Sequence, residues 1–177
     1  MSRIKKLTAV FVFVALVFTI QIIKRVSAAN PIIIMSPQSC HGWKDCEQAF
    51  TKDEQAAIGH LRIFGIWRDY SFKIPLGAMV NSVAIRSDAK KVDCVATTTL
   101  IMRVSNDAGR TYGPIHEVPL TSCTDYQTDW TDVSADFVWT PGGLNGASLV
   151  LLVQCIGPKA PSDTCFLDWL PVQVSLF

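Results

Sequence analysis

From Trp67 to the C terminus the chain falls into short β-branched and aromatic runs. Gly, Pro, Asn and Asp interrupt them roughly every 8–15 residues, a rhythm that long helices cannot follow. Tyr70, Phe72 and Ile74 alternate with Ser71 and Lys73 and stop at Pro75, the period of a half-buried strand. Further strands are expected over 79–86, 94–104, 111–120, 133–140, 149–155 and 165–176. About 7–9 strands without a convincing long helix predict an all-β domain, either a sandwich or a partly closed barrel. No segment recurs at a fixed period, which argues against a propeller or a solenoid.

Residues 30–66 read as an entry segment to a β-core over 67–177, the whole of 30–177 being one domain. Ile32–Met35, apolar and β-branched behind Pro31, is one strand or an extended arm. Cys40 to Cys46 encloses His41-Gly42-Trp43 as a loop. Thr51-Lys52-Asp53-Glu54 fits a capping box and predicts a short helix near 52–59, the alternative being a strand starting at Ala56.

The first 29 residues carry a different message. Arg3, Lys5 and Lys6 precede an apolar run from Leu7 to Ile23, and Ser27-Ala28-Ala29 follows as a cleavage site, the pattern of an export signal. Lys24 and Arg25 flank that run on its far side, so an uncleaved membrane anchor over 7–23 is the alternative. That stretch is shorter than the usual span of about 20 residues. All five basic residues of this leader are unopposed by acid, so the rest of the chain carries 11 basic against 15 acidic residues, a net of −4. An acidic surface without a basic stripe excludes nucleic acid as the expected partner.

Six cysteines, Cys40, Cys46, Cys94, Cys123, Cys155 and Cys165, all follow the leader. In an exported chain an even count predicts three disulfides, although six cysteines allow 15 connectivities. Proximity pairs Cys40 with Cys46 and Cys155 with Cys165, as the ends of a hairpin, leaving Cys94 for Cys123. A metal site of Cys40, His41, Cys46 and His60 is the rival, but the gap between the cysteines is wider than zinc sites use. No cofactor is expected.

Ser105-Asn106-Asp107-Ala108-Gly109-Arg110-Thr111-Tyr112 joins two β-rich runs and must turn between them. Asp107 can accept the turn amides, Gly109 can take a positive φ, and Tyr112 can cover the base. These residues resemble the Asp-box of sialidases, a folding element there, and the single copy here implies the hairpin without the enzyme. Ile74-Pro75-Leu76-Gly77-Ala78-Met79-Val80, Trp139-Thr140-Pro141 with Leu144-Asn145, the run 149–153 and Phe166 to Val174 resemble jelly-roll domains of bacterial, archaeal and phage surface proteins. The resemblance implies a jelly-roll-like antiparallel β-sandwich. Pro171 departs from that pattern and predicts an edge strand or a bulge.

Tyr126 and Trp130, four apart in the polar stretch 124–132, would share one face of a strand and offer a flat platform for a sugar; otherwise one or both cap the core. Trp139 reads as core. Asp168 beside Trp169 invites a glycoside-cleaving pair with Asp163, Asp136 or Asp132, but no nucleophile context occurs. The expected function is therefore a non-catalytic, exported or surface protein binding a glycan or other cell-surface polymer, or acting in adhesion. The alternatives are a self-associating structural subunit that donates its 31–35 strand to a neighbour, and a glycan-active hydrolase.

Overall fold

The computed structural model describes residues 30–60, 62–157 and 164–177. The expected leader, its cleavage point and Asp163 lie outside the described residues. Among the described residues no helix is long and apolar enough to cross a membrane.

The chain is all-β, a jelly-roll-like sandwich of two antiparallel sheets. Its strands are β1 (Ile32–Met35), β2 (Ser39–His41), β3 (Ala57–His60), β4 (Phe64–Arg68), β5 (Val80–Lys91), β6 (Thr98–Ser105), β7 (His116–Leu120), β8 (Gln127–Asp132), β9 (Val150–Ile156), β10 (Thr164–Trp169) and β11 (Val172–Leu176). The first sheet runs β1-β11-β5-β10-β3, with β8 on the other flank of β5; the second runs β2-β4-β9-β6-β7. Strand count exceeds the rhythm seen in the sequence because the entry segment contributes β1 to β3 and most of β4, which runs on to Arg68.

Alternation builds the core. Val83, Ile85 and Ala89 of β5, Leu100, Met102 and Val104 of β6, and Leu151, Val153 and Cys155 of β9 are all buried between the sheets. Each Val, Leu, Ile or Met among them contributes about 1.5–3 kcal/mol on leaving water. Trp67 lies at the centre, its Nε1 donating to the Cys46 carbonyl at 3.2 Å and its ring meeting Trp43 edge-on at 5.2 Å. Trp43 lies so close over Gly59 that a β-carbon there would stand 2.4 Å from the indole, which explains a glycine inside β3.

Both β10 and β11 pair with β5, Cys165–Trp169 against Lys91–Asp88 and Val172–Leu176 against Ile85–Val80. The expected single strand over 165–176 is thus two strands in line, interrupted at Leu170-Pro171. Arg86 N donates to the Pro171 carbonyl at 3.0 Å across the gap. The register shifts between Leu167 and Trp169, where two residues oppose Asp88. Pro171 therefore lies neither at an edge nor in the bulge itself but in the break between β10 and β11, just after the bulge, with β3 and β1 flanking this line on its far side.

Three expected elements are different in the structure. Residues 70–74 alternate in burial as anticipated, yet form no ladder. Positive φ at Asp69 (62°) and Ser71 (31°) kinks the entry, and the Asn145 amide, not a strand, holds the Ile74 backbone at 2.7 and 2.6 Å. Residues 133–140 form no strand but a turn at 134–136, with Asp136 N bonded to the Val133 carbonyl, and an irregular stretch after it; the strand lies one segment earlier, in the polar stretch that makes β8. Trp139 is partly buried against the core, its Nε1 on the Val133 carbonyl at 3.0 Å. The capping box at Thr51 does not form. A 3-10 turn occupies Cys46–Phe50 instead, Glu54 adopts φ 67°, and β3 follows, as in the strand alternative.

All three disulfides pair as proximity suggested, Cys40–Cys46, Cys94–Cys123 and Cys155–Cys165. The last does not close a hairpin: β9 and β10 lie in different sheets, so the bond ties the two layers across the core.

The turn after β6 is built as its side chains require. Asp107 Oδ1 accepts the amides of Arg110 (3.0 Å) and Thr111 (2.9 Å), and Oδ2 accepts the Thr111 hydroxyl (2.6 Å). Ser105 Oγ donates to Asp107 and accepts the Gly109 amide at 2.9 Å. Gly109 has φ 84°, and the Tyr112 hydroxyl sits over it.

Candidate functional site

In the C-terminal half of β5 the residues that face away from the core are Arg86, Asp88 and Lys90. Register partners across a ladder share a face, so Trp130 and Thr128 of β8 join them, opposite Arg86 and Asp88, and Phe166 of β10 joins opposite Lys90. Lys90 Nζ lies 4.4 Å from the Tyr126 ring centroid and 5.8 Å from that of Phe166. Arg86 Cζ lies 5.8 Å from the Trp130 centroid and 4.7 Å from that of Trp169. Two cross-strand rows result, each an aromatic, a cation and an aromatic. Such contacts are worth about 0.5–1 kcal/mol each where exposed.

Asp88 anchors the centre. It is fully buried and takes Arg86 Nε and NH2 at 2.8 Å each, the Thr128 hydroxyl at 2.8 Å and Lys52 Nζ at 3.1 Å. Burial pushes its pKa up, but the donors Arg86, Thr128 and Lys52 outweigh burial and hold it below the ordinary carboxylate range. Asp168, 1% exposed, goes the other way. Burial raises its pKa, the carboxylates of Asp53 and Asp88 add to the rise, and the amides of Asp53 (3.3 Å) and Glu54 only partly oppose it.

Beside this centre opens a cleft of about 340 Å³. Lys52 and Glu54 form one wall, Thr124, Asp125 and Tyr126 the other, and Lys90 with Asp168 the floor. Lys90 Nζ also donates to the Thr124 carbonyl at 3.3 Å, and Ser122 Oγ accepts the amides of Thr124 and Asp125. The Cys94–Cys123 bond pins this second wall to the loop after β5. Burial first, then Asp168, Glu54 and Asp53, raise the Tyr126 phenol pKa, so it stays a neutral hydroxyl.

Tyr126 and Trp130 thus stand on one face, Tyr126 half-buried in the cleft and Trp130 46% exposed beyond it. The suggested partners of Asp168 are engaged elsewhere: Asp132 accepts the Ser134 amide at 2.9 Å, and Asp136 pairs with His116 Nε2 at 2.7 Å. Cys40, Cys46 and Glu47 are close enough to hold a metal, but both sulfurs are committed to a disulfide and offer no thiolate. Arg86, Asp88, Lys90, Phe166 and Trp169 escaped the sequence reading as site residues. The alternation Arg86-x-Asp88-x-Lys90 in a β-run was their visible signal.

No protein-family model and no curated protein matches the chain. Among solved structures it is similar to the CBM22-1 xylan-binding domain of Xyn10C from Paenibacillus barcinonensis, at 16% identity and a TM-score of 0.44, over 84% of this chain and 97% of that one. It is similar to the xylan-binding module CBM15 at 9% identity and a TM-score of 0.42, over 84% and 97%. A family two carbohydrate esterase from Cellvibrio japonicus matches at 7% identity and a TM-score of 0.35, over 84% of this chain and 34% of the esterase.

Proposed function

We propose that the protein is a non-catalytic, exported glycan binder whose ligand enters the cleft between the 51–56 loop and the loop that precedes β8. The observation that carries this reading is the mixture of groups there. A sugar ring has an apolar face and a rim of hydroxyls, each able to donate and to accept. Tyr126 offers a ring against the first, while the carboxylates of Glu54, Asp125 and Asp168 accept and the ammonium groups of Lys52 and Lys90 donate to the second. Three disulfides fit an oxidising compartment.

Hydrolysis needs two carboxylates free to move protons. Asp88 is held by Arg86, Thr128 and Lys52, which speaks for a structural role in place of a catalytic one. The subunit reading loses its motive, because β1 already lies antiparallel on β11 of its own chain, Ile32 opposite Ser175 through Met35 opposite Val172. A glycan array followed by titration calorimetry tests the proposal. Tyr126→Ala is expected to weaken the strongest hit by about tenfold or more, ~1.4 kcal/mol, at unchanged melting temperature. An array without hits would end the reading.

A further inference from the structure

Resting on that reading, we infer that the ligand is a linear oligosaccharide laid along β5, contacting both aromatic rows, and not a single terminal sugar. Arg86 and Lys90 are four residues apart on one uninterrupted strand, which separates the rows by ~13 Å, room for roughly three pyranose rings in a chain. One ring in the Tyr126 cleft cannot reach Trp130. The row at Arg86 lies outside the residues that line the cleft, so it constitutes a second subsite.

The second row is held ready. Arg86 is gripped by Asp88 at 2.8 Å through two nitrogens, and Trp169 Nε1 donates to Ser36 Oγ at 2.9 Å, so the guanidinium and the indole that flank the second subsite are fixed before binding. Preorganised groups lose little freedom when a ligand docks. The bulge completes the arrangement. In a regular strand Phe166 and Trp169, three apart, would face opposite sides; two residues opposing Asp88 bring Trp169 round to the side of Phe166. Between the rows, the exposed hydroxyl of Thr128 and the ammonium of Lys52, both bonded to the buried Asp88, give a polar strip for the hydroxyls of a middle ring.

The test is calorimetry with oligomers of two to six units cut from the polysaccharide that scores highest on the array. Affinity is expected to rise about tenfold or more between the dimer and the tetramer and to level off after that. Trp130→Ala, at an exposed position whose loss leaves the core intact, is expected to bring the tetramer down to the affinity of the dimer. A near-ultraviolet circular dichroism spectrum that keeps its core signals establishes that this variant is folded. Equal affinity for dimer and hexamer, or array hits confined to terminal sugars of branched glycans, would overturn the two-row inference while leaving glycan binding in place. An empty array would instead overturn glycan binding itself.

Discussion

Asp107 accepts four hydrogen bonds from the turn that it organises, and the Thr111 hydroxyl, the Thr111 amide and Ser105 together hold its pKa far below the ordinary carboxylate range. A depressed folded pKa means that the carboxylate stabilises the fold fully above its unfolded value, about 3.9, and loses that contribution as the pH falls through the folded value. Asp107→Asn is expected to lower the melting temperature near pH 7 and to flatten its decline toward acid. Thermal melts between pH 7 and pH 2 check this, and an unaltered acid limb would remove Asp107 from the account. The turn was legible because every group it needs lies within eight residues. Tyr126 and Trp130 were expected on one strand; Trp130 is on β8, but Tyr126 lies in the loop just before it, on the same side of the sheet. Arg86 and Lys90 were not: their meaning depends on which strands flank β5, and the residues that complete each row lie some 40 positions away on one side and 80 on the other.

Among elements, the loop that forms one wall of the cleft depends on its own disulfide. Cys94 is exposed, whereas Cys155 and Cys165 are fully buried, so a mild reductant is expected to open Cys94–Cys123 first. Alkylation and peptide mapping of partly reduced protein read the order directly, and early alkylation of Cys155 would refute it. Loop closure assigns the Cys94–Cys123 bond about 3.5 kcal/mol. Selective opening should therefore lower the melting temperature and also weaken glycan binding, because Thr124 to Tyr126 lose their tether. The segments misread from the sequence share one cause. Residues 133–140 and 70–74 have strand-like composition, but hydrogen bonding decides whether an extended apolar run enters a ladder. Asn145 and the left-handed residues Asp69 and Ser71 divert the backbone of 70–74. The polar 127–132 stretch pairs instead, because a strand on the flank of a sheet can leave one face in water.

At the scale of the molecule, alternation announced a two-layer β-fold, but strand order could not follow from it. The pairings of β5 with β10 and β11 join residues 80–91 to 165–176, and no local signal reports such distant contacts. The bulge at Asp168 has a wider consequence than the site it shapes. In β10 the odd-numbered residues Cys165 and Leu167 face the core, whereas in β11 the even-numbered Val172, Val174 and Leu176 do. The C-terminal segment therefore changes parity once, and a chain shortened there by one residue would aim Gln173 and Ser175 inward and three aliphatic side chains at water. Deleting Asp168 is expected to abolish cooperative unfolding, while one glycine inserted after Gly77, where the surroundings are open, should cost little. Calorimetry of both variants measures this. Over these last dozen residues, the spacing along the chain is as much a part of the core as the side chains that fill it.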